Sequence, residues 1–302
     1  MAQKDVKQRI GSVKNVQKIT RAMEMISAAR LRKAEQRVKE LRDYASAIRR
    51  MTRQAAEAAE NLPNLPIMED RPDADTVAIV IMTGDRGLAG AFNAQVIRTS
   101  IRRAQELEAE GKTVVFYASG RRGTSSLTFR SREPVESYTG HTDRPSYANA
   151  REIAGDVVTA YLDRKVDRVE VFYNAFVSAV TQELTHEVLL PLQQATIAEA
   201  RDIQEDVSES EEETGHTALT EYEPDPAEIL ERLIPSYVEI SLFRALLEST
   251  ASEHGARMSA MRNASDNASD LIKDLTLQLN RERQAEITQE IMEVVAGAES
   301  LT

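Results

Sequence analysis

The sequence predicts an α/β domain set between two long terminal helices that pair as an antiparallel coiled coil. Three observations carry that prediction. Ser12 to Leu62 and Ala256 to Ala296 contain neither Gly nor Pro. Both stretches repeat small or apolar residues at alternating spacings of four and three. Between them, short apolar runs alternate with helix-like segments, the pattern of strands separated by crossover helices. At roughly 1.5 Å per helical residue the two ends make rods of ~75 and ~60 Å, far longer than an ordinary helix of ~11 to 12 residues.

In the first rod Ala34, Val38, Leu41, Ala45, Ile48, Thr52, Ala55, Ala59 and Leu62 form a heptad seam. Upstream, Val16, Ile19, Met23 and Ile26 keep a similar spacing in another register, which predicts a phase shift near Ala29. Leu62-Pro63-Asn64-Leu65-Pro66 ends the rod. Thr76 to Thr83 then reads as a buried strand, followed by a Gly-rich turn and a helix over Asn93 to Glu110 that Gly111 stops. Thr113 to Ala118 is a second strand, Tyr147 to Arg164 a helix and Arg168 to Asn174 a third strand, with a further strand or strand and helix over Ala175 to Leu190. The alternation implies a mainly parallel, Rossmann-like sheet.

Residues 201–220 are acidic and poor in apolar groups and read as a flexible loop. Pro224-Asp225-Pro226 starts a short helix, Ala227 to Leu233, before Pro235 and the second rod. There Leu247, Thr250, His254, Arg257, Met261, Ala264, Ala268, Leu271 and Leu275 repeat with the same rhythm. The domains are therefore 1–62, an N-terminal coiled-coil helix; 63–235, an α/β domain with the acidic loop; and 236–302, a C-terminal coiled-coil helix. Several seam positions are Ala, Thr, His or Arg, which bury little area at ~25 cal/mol per Å², so a surrounding partner would help the pair.

Composition narrows the function classes. The chain has 302 residues, 41 % hydrophobic, with 5 % aromatic and no Trp, which suits slim helices better than one thick core. With no Cys there is no disulfide framework, thiolate metal site or Cys nucleophile, and a reducing cytoplasm is the expected setting. The start, MAQKDVKQRI, lacks the apolar segment of a signal peptide, and no apolar run is long enough to span a membrane. The net charge of -11 hides a segregation: residues 1–60 are strongly basic and 201–225 strongly acidic.

Chemistry-bearing motifs are few. The turn Thr83 to Asn93, TGDRGLAGAFN, follows a strand and opens a helix, the place for a phosphate cradle. Its Gly84, Gly87 and Gly90 match neither G-x-G-x-x-G nor the P-loop, and no Lys faces the site, so a structural turn with a local Asp85 to Arg86 ion pair is the better reading. His141, His186, His216 and His254 are scattered without metal-ligand spacing, and no G-x-S-x-G elbow occurs. The basic rod carries Lys4, Lys7, Arg9, Lys14, Lys18, Arg21, Arg30, Arg32, Lys33 and Arg37 without interleaved aromatics, which favours an acidic protein partner over nucleic acid.

Three separated motifs carry a resemblance over nearly the full chain: IGSVKNVQKITRAMEMISAARLRKAE from Ile10 to Glu35, GDRGLAGAFN from Gly84 to Asn93, and the tail from ARMSAMRNASDNASDLI through NRERQAEITQEIMEVVAGA. The chain resembles the gamma subunits of F-type ATP synthases, departing where the family turn commonly has a Cys (here Ala89) and a second Gly (here Ala91). The resemblance implies a non-catalytic rotor shaft inside a ring of alpha and beta subunits, with the α/β domain as a foot against the epsilon subunit and the membrane rotor c-ring. It implies a peripheral position on the cytoplasmic side of the cell membrane and no cofactor. By motif, Lys18, Arg21 and Met23 would face an acidic lever of a beta subunit, and Arg257, Arg283, Gln284 and Thr288 would contact beta loops. Ile291, Met292, Val294 and Val295 would sit in an apolar bearing, and Tyr222 with Glu223 would touch the ring or epsilon. Two other readings stand behind this one: an enzyme with a nucleotide in the α/β domain, and a coiled-coil nucleic-acid adaptor.

Overall fold

The computed structural model describes residues 3–58, 66–69, 71, 75–192 and 226–299. Its elements in chain order are α1 (Gln3–Ala58), a short 3-10 turn (Pro66–Met68), β1 (Thr76–Met82), α2 (Phe92–Ala109), β2 (Thr113–Ser119), α3 (Arg121–Phe129), β3 (Glu136–Tyr138), α4 (Tyr147–Leu162), β4 (Arg168–Phe176), β5 (Gln182–Leu190) and α5 (Pro226–Glu299). The acidic loop 201–220, Tyr222 and Glu223 lie outside the described residues.

α1 and α5 run antiparallel. Val6 and Ile10 near the start of α1 meet Leu275 late in α5, whereas Leu31, Ala34 and Val38 meet Leu247 and Ala251. With 56 and 74 residues, the helices extend ~84 and ~110 Å at 1.5 Å per residue. α5 is longer than predicted because it continues through Pro235, which sits inside the helix, and Pro226 occupies its first position. The expectation of a separate short helix over Ala227 to Leu233 is thus corrected. A proline in a helix interior forfeits one backbone hydrogen bond. Just beyond it, Val238, Leu242 and Leu246 are buried in the foot, and that packing holds the helix continuous.

The sheet order is β3-β2-β1-β4-β5, with β5 antiparallel to β4 and every other pairing parallel. Because successive side chains point to opposite faces, Ala78, Val80 and Met82 of β1 pack against α4 and α5, while Val77, Ile79 and Ile81 face α2 and α3. The long helix α5 therefore forms part of the core of the α/β domain. α3 and β3 were not predicted; RRGTSSLTF has loop-like composition, and only Leu127 and Gly123 are buried on the sheet side.

The coil register also differs from expectation. No phase shift occurs near Ala29: the buried line Leu31, Ala34, Val38 and Ala45 continues upstream in the same register through Ser27, Thr20, Ile10 and Val6. Val16, Ile19 and Ile26 point outward at 52 %, 60 % and 54 % exposure. In α5 Leu247, His254, Met261, Ala268 and Leu275 are buried as predicted. The intervening positions Thr250 and Arg257 are buried too, but beyond Met261 the intervening position is displaced by one residue: Ser265 is buried and Ile272 half-buried, whereas Leu271 is 46 % exposed. Thr52, Ala55, Ala59 and Leu62 of the predicted seam fall outside the described side chains.

Candidate functional site

The upper coil turns its packing rule inside out. Between the apolar seam residues Ile10 and Leu31 the seam on α1 is polar, with Thr20 and Ser27 buried and Thr20 Oγ1 satisfied by donation to the Gln17 carbonyl at 3.0 Å. Its outer face carries the apolar stripe Val16, Ile19 and Ile26, joined by Met25 at 64 % exposure. Small polar seam residues let the helices approach and are fixed by local hydrogen bonds and by the Arg262 to Glu24 ion pair at 2.9 Å. A contiguous exposed apolar face on a helix marks a surface made to be covered.

Lys18 and Arg21 are exposed beside that stripe, and Met23 is half-buried next to it. From Arg283 onward every described side chain of α5 is exposed, so its end projects as a single helix. Arg283 and Gln284 stand on this tip, and Thr288 donates its hydroxyl to the Gln284 carbonyl at 2.9 Å. Ile291, Met292 and Val294 are 57 %, 64 % and 72 % exposed. Val295 belongs to the helix, but its side chain lies outside the described residues.

Arg257 departs from this outward group. It is 6 % exposed, pairs with Glu253 one turn earlier, and donates Nε and Nη2 to the Gly87 carbonyl at 3.4 and 3.3 Å. The turn of the α/β domain covers this position of the helix, so the Arg257 guanidinium is engaged within the chain. The sequence reading missed Glu253, which is 1 % exposed. The available signal was its place four residues before an Arg, the order that favours an ion pair on a helix. Burial pushes the Glu253 carboxyl up, against the pull of Arg257. Burial, reinforced by the Arg257 charge, holds the neighbouring His254 imidazole down to about 4.

The Gly84 to Asn93 turn spends its polar groups on itself. Gly84 N–H donates to Asn93 Oδ1 at 2.8 Å, and Asn93 Nδ2 donates to the Arg86 carbonyl at 3.3 Å. Asp85 accepts from the backbone amides of Arg121 and Gly140 at 3.0 and 2.8 Å and from the Thr142 hydroxyl at 3.1 Å. Burial alone would raise its carboxyl; those donors outweigh it and lower it. The expected Asp85 to Arg86 pair is corrected, since Arg86 lies 3.5 Å from Asp143 instead. Leu88 takes a φ of 64° and is 64 % exposed, held in the left-handed region by the turn around it.

The other described histidines are structural. His141 Nε2 lies 3.1 Å from Ser119 Oγ, and His186 Nε2 lies 2.9 Å from Glu170, which also accepts from Arg103. His216 lies outside the described residues. Among the described residues no group of His, Asp and Glu is placed to hold a metal ion, and no helix is long and apolar enough to cross a membrane.

A family model described as ATP synthase matches residues 2–301. The chain is 43 % identical over 298 residues to the ATP synthase gamma chain of Rubrobacter xylanophilus, covering 99 % of this chain and 98 % of that one. It is 41 % identical over 303 residues to the gamma chain of Moorella thermoacetica, covering 99 % and 98 %. Among solved structures, a chain of the Euglena gracilis mitochondrial ATP synthase (OSCP/F1/c-ring, rotational state 3) superimposes with a TM-score of 0.66 at 18 % identity, covering 99 % of this chain and 94 % of that one. A chain of the Tetrahymena thermophila mitochondrial ATP synthase central stalk and c-ring gives a TM-score of 0.59 at 24 % identity, covering 82 % and 99 %. These two likenesses speak to the fold.

Proposed function

The chain belongs to the ATP synthase gamma-chain family, and from that premise we propose that it is the rotating central shaft of a proton-translocating ATP synthase. The observation that carries the reading is the outward apolar stripe Val16, Ile19 and Ile26 over a polar seam, continued by the bare tip of α5. A free coiled coil gains nothing from that arrangement. A shaft enclosed by other subunits gains a bearing surface that is apolar and free of deep knobs, so it can slide from one neighbour to the next.

In this reading proton flow turns the membrane ring, the ring turns the foot, and α5, which runs from the foot core into the coil, carries the rotation upward. Each beta subunit then meets a different side of an asymmetric shaft in turn. Lys18, Arg21 and Met23 face the acidic lever of a beta subunit, Arg283, Gln284 and Thr288 meet beta loops above, and Ile291, Met292, Val294 and Val295 run in the apolar bearing. Because shaft contacts differ among the conformations of beta, shaft angle biases each catalytic site among them; the coupling works in both directions and so also regulates ATP hydrolysis. The chemistry belongs to beta, and this chain supplies no catalytic group. Alpha subunits complete the ring, epsilon and the c-ring hold the foot through Tyr222 and Glu223, and the complex sits on the cytoplasmic side of the cell membrane.

Reconstitution with alpha and beta subunits tests the proposal. The isolated chain is expected to hydrolyse no ATP, and the complex to hydrolyse ATP while the α/β foot turns against the immobilised ring. Hydrolysis by the pure chain, or nucleotide binding to it seen by calorimetry, would overturn the non-catalytic role.

A further inference from the structure

The foot and the shaft meet where α5 passes three loops of the α/β domain. Thr250, 5 % exposed, donates its hydroxyl to the Thr142 carbonyl at 2.9 Å. Asp143, the next residue, pairs with Arg30 of α1 at 2.9 Å. Gly255 brings the helix so close to the turn between β4 and β5 that a Cβ there would stand 2.9 Å from the Ala179 carbonyl oxygen. Two residues further along α5, Arg257 reaches the Gly87 carbonyl with two nitrogens. The carboxylate of Glu253 lies against the bare Cα of Gly84, where a Cβ would stand 2.5 Å from Oε1.

Nearer the start of α5 the domain holds the helix through the apolar contacts of Val238, Leu242 and Leu246 and through Arg244, which donates to Glu187 of β5 at 2.7 Å and to the Tyr173 hydroxyl at 3.2 Å. Apolar contact resists separation but is non-directional, so it fixes the angle of the foot about the helix axis weakly. Hydrogen bonds from a buried charged group are short-ranged, directional and strong in low dielectric. Arg257, paired with Glu253, bonds the Gly87 carbonyl and so joins the helix directly to the turn.

We propose that Glu253 and Arg257, seated on Gly84 and Gly87, are a torsional key that fixes the azimuth of the foot on the shaft and transmits torque between them. The proposal rests on the rotor reading above and adds positioning residues to it. Arg257 acts through the foot turn, and Gly84 serves by leaving room for the Glu253 carboxylate. Asp85 stiffens the receiving side by joining the turn to the start of α3 and to the Gly140 and Thr142 loop.

The experiment uses the whole synthase in sealed vesicles, with wild type, Gly84→Ala, Glu253→Gln, Arg257→Gln and the Gly84→Ala/Arg257→Gln double variant. Gly155→Ala is the control, since a Cβ there meets nothing within 4 Å. Proton-driven ATP synthesis, protons pumped per ATP hydrolysed, and hydrogen exchange at residues 84–87 are read on each. The single variants are expected to lower synthesis about tenfold, equivalent to ~1.4 kcal/mol on a rate, and to lower the pumping ratio. The double variant is expected to be no worse than either parent, because both remove the same key. Exchange at residues 84–87 should quicken in parallel.

A wild-type chain that supports no coupled synthesis would bring down the rotor reading itself. If the wild type couples and Gly84→Ala matches Gly155→Ala, the key is refuted. Additive losses in the double variant also refute it, because Arg257 then acts on something other than the turn. Melting of the purified chains separates a foot that fails to fold: if Gly84→Ala unfolds the foot, Glu253→Gln, which keeps the side chain's shape, decides the question by the same pumping ratio.

Discussion

Replacing Ile19 and Ile26 together by Ala tests the inverted coil directly. Both side chains are more than half exposed, at 60 % and 54 %. Burying a whole Ile side chain contributes ~1.5 to 3 kcal/mol, so the isolated chain loses only about 1 kcal/mol per site. The part now facing outward contributes about another 1 kcal/mol per site once subunits cover it, roughly 2 kcal/mol for the pair. That is about a 30-fold rise in the dissociation constant of the complex with alpha and beta subunits. Leu31→Ala is the counterpart: Leu31 is 4 % exposed in the seam against α5 and should destabilise the isolated chain by ~2 to 5 kcal/mol. Urea denaturation of the isolated chains and surface-immobilised binding to the alpha-beta ring give the two numbers. If the Ile double variant unfolds as readily as Leu31→Ala and binds like wild type, the stripe faces inward and the reasoning fails.

Other consequences can be checked in the same way. Burial would raise the Glu170 carboxyl, but hydrogen bonds from His186 and Arg103 override it and hold it near about 2 against an ordinary 4.5. A lowered carboxylate stabilises the fold above about pH 4.5, by roughly 3 kcal/mol, and that contribution is lost as pH falls towards 2. Urea midpoints of wild type and Glu170→Gln should therefore converge across that window; a constant gap would refute the assignment. The imidazole of His254 is held down to about 4 from 6.5, so the unfolded chain binds the extra proton first and stability drops as pH falls from 6.5 to 4. His254→Gln should flatten that segment of the stability curve, and an unchanged slope would count against it. Pro235 is exposed inside α5, and Pro235→Ala restores a helical hydrogen bond. It should stabilise the isolated chain by up to ~3 kcal/mol, read as a higher urea midpoint, and a lower midpoint would show that the proline fits its site better than alanine.

Much of the architecture is written locally. Long stretches without Gly or Pro, and apolar runs bounded by turns, depend on neighbours within a few residues, which is why both long helices and the strands β1, β2 and β4 were legible, with β5 left open between strand and helix. Elements with little local signal were not. α3 is held by Leu127 and by the Asp85 carboxylate accepting from the Arg121 amide, partners far away in sequence. β3 is three residues long and pairs with β2 alone. Among the proposed contact residues, Lys18, Arg21, Arg283 and Gln284 are exposed, as charged and polar residues on a helix need no fold to be presented. Arg257 could not be placed, because what covers it is a turn about 170 positions earlier.

The sequence by itself determined that two rods would form, that they would pair through a thin seam, and that an α/β domain would lie between them, since helical and strand periodicity are properties of the local chain. Tertiary structure alone decided which face of α1 looks inward. Val16, Ile19 and Ile26 offer a seam as regular as Ser27, Thr20 and Val6, and spacing cannot choose between two faces of one helix. The choice falls to α5, which meets the line running up from Leu31, and a straight pair of helices cannot change face midway without breaking the packing already made below.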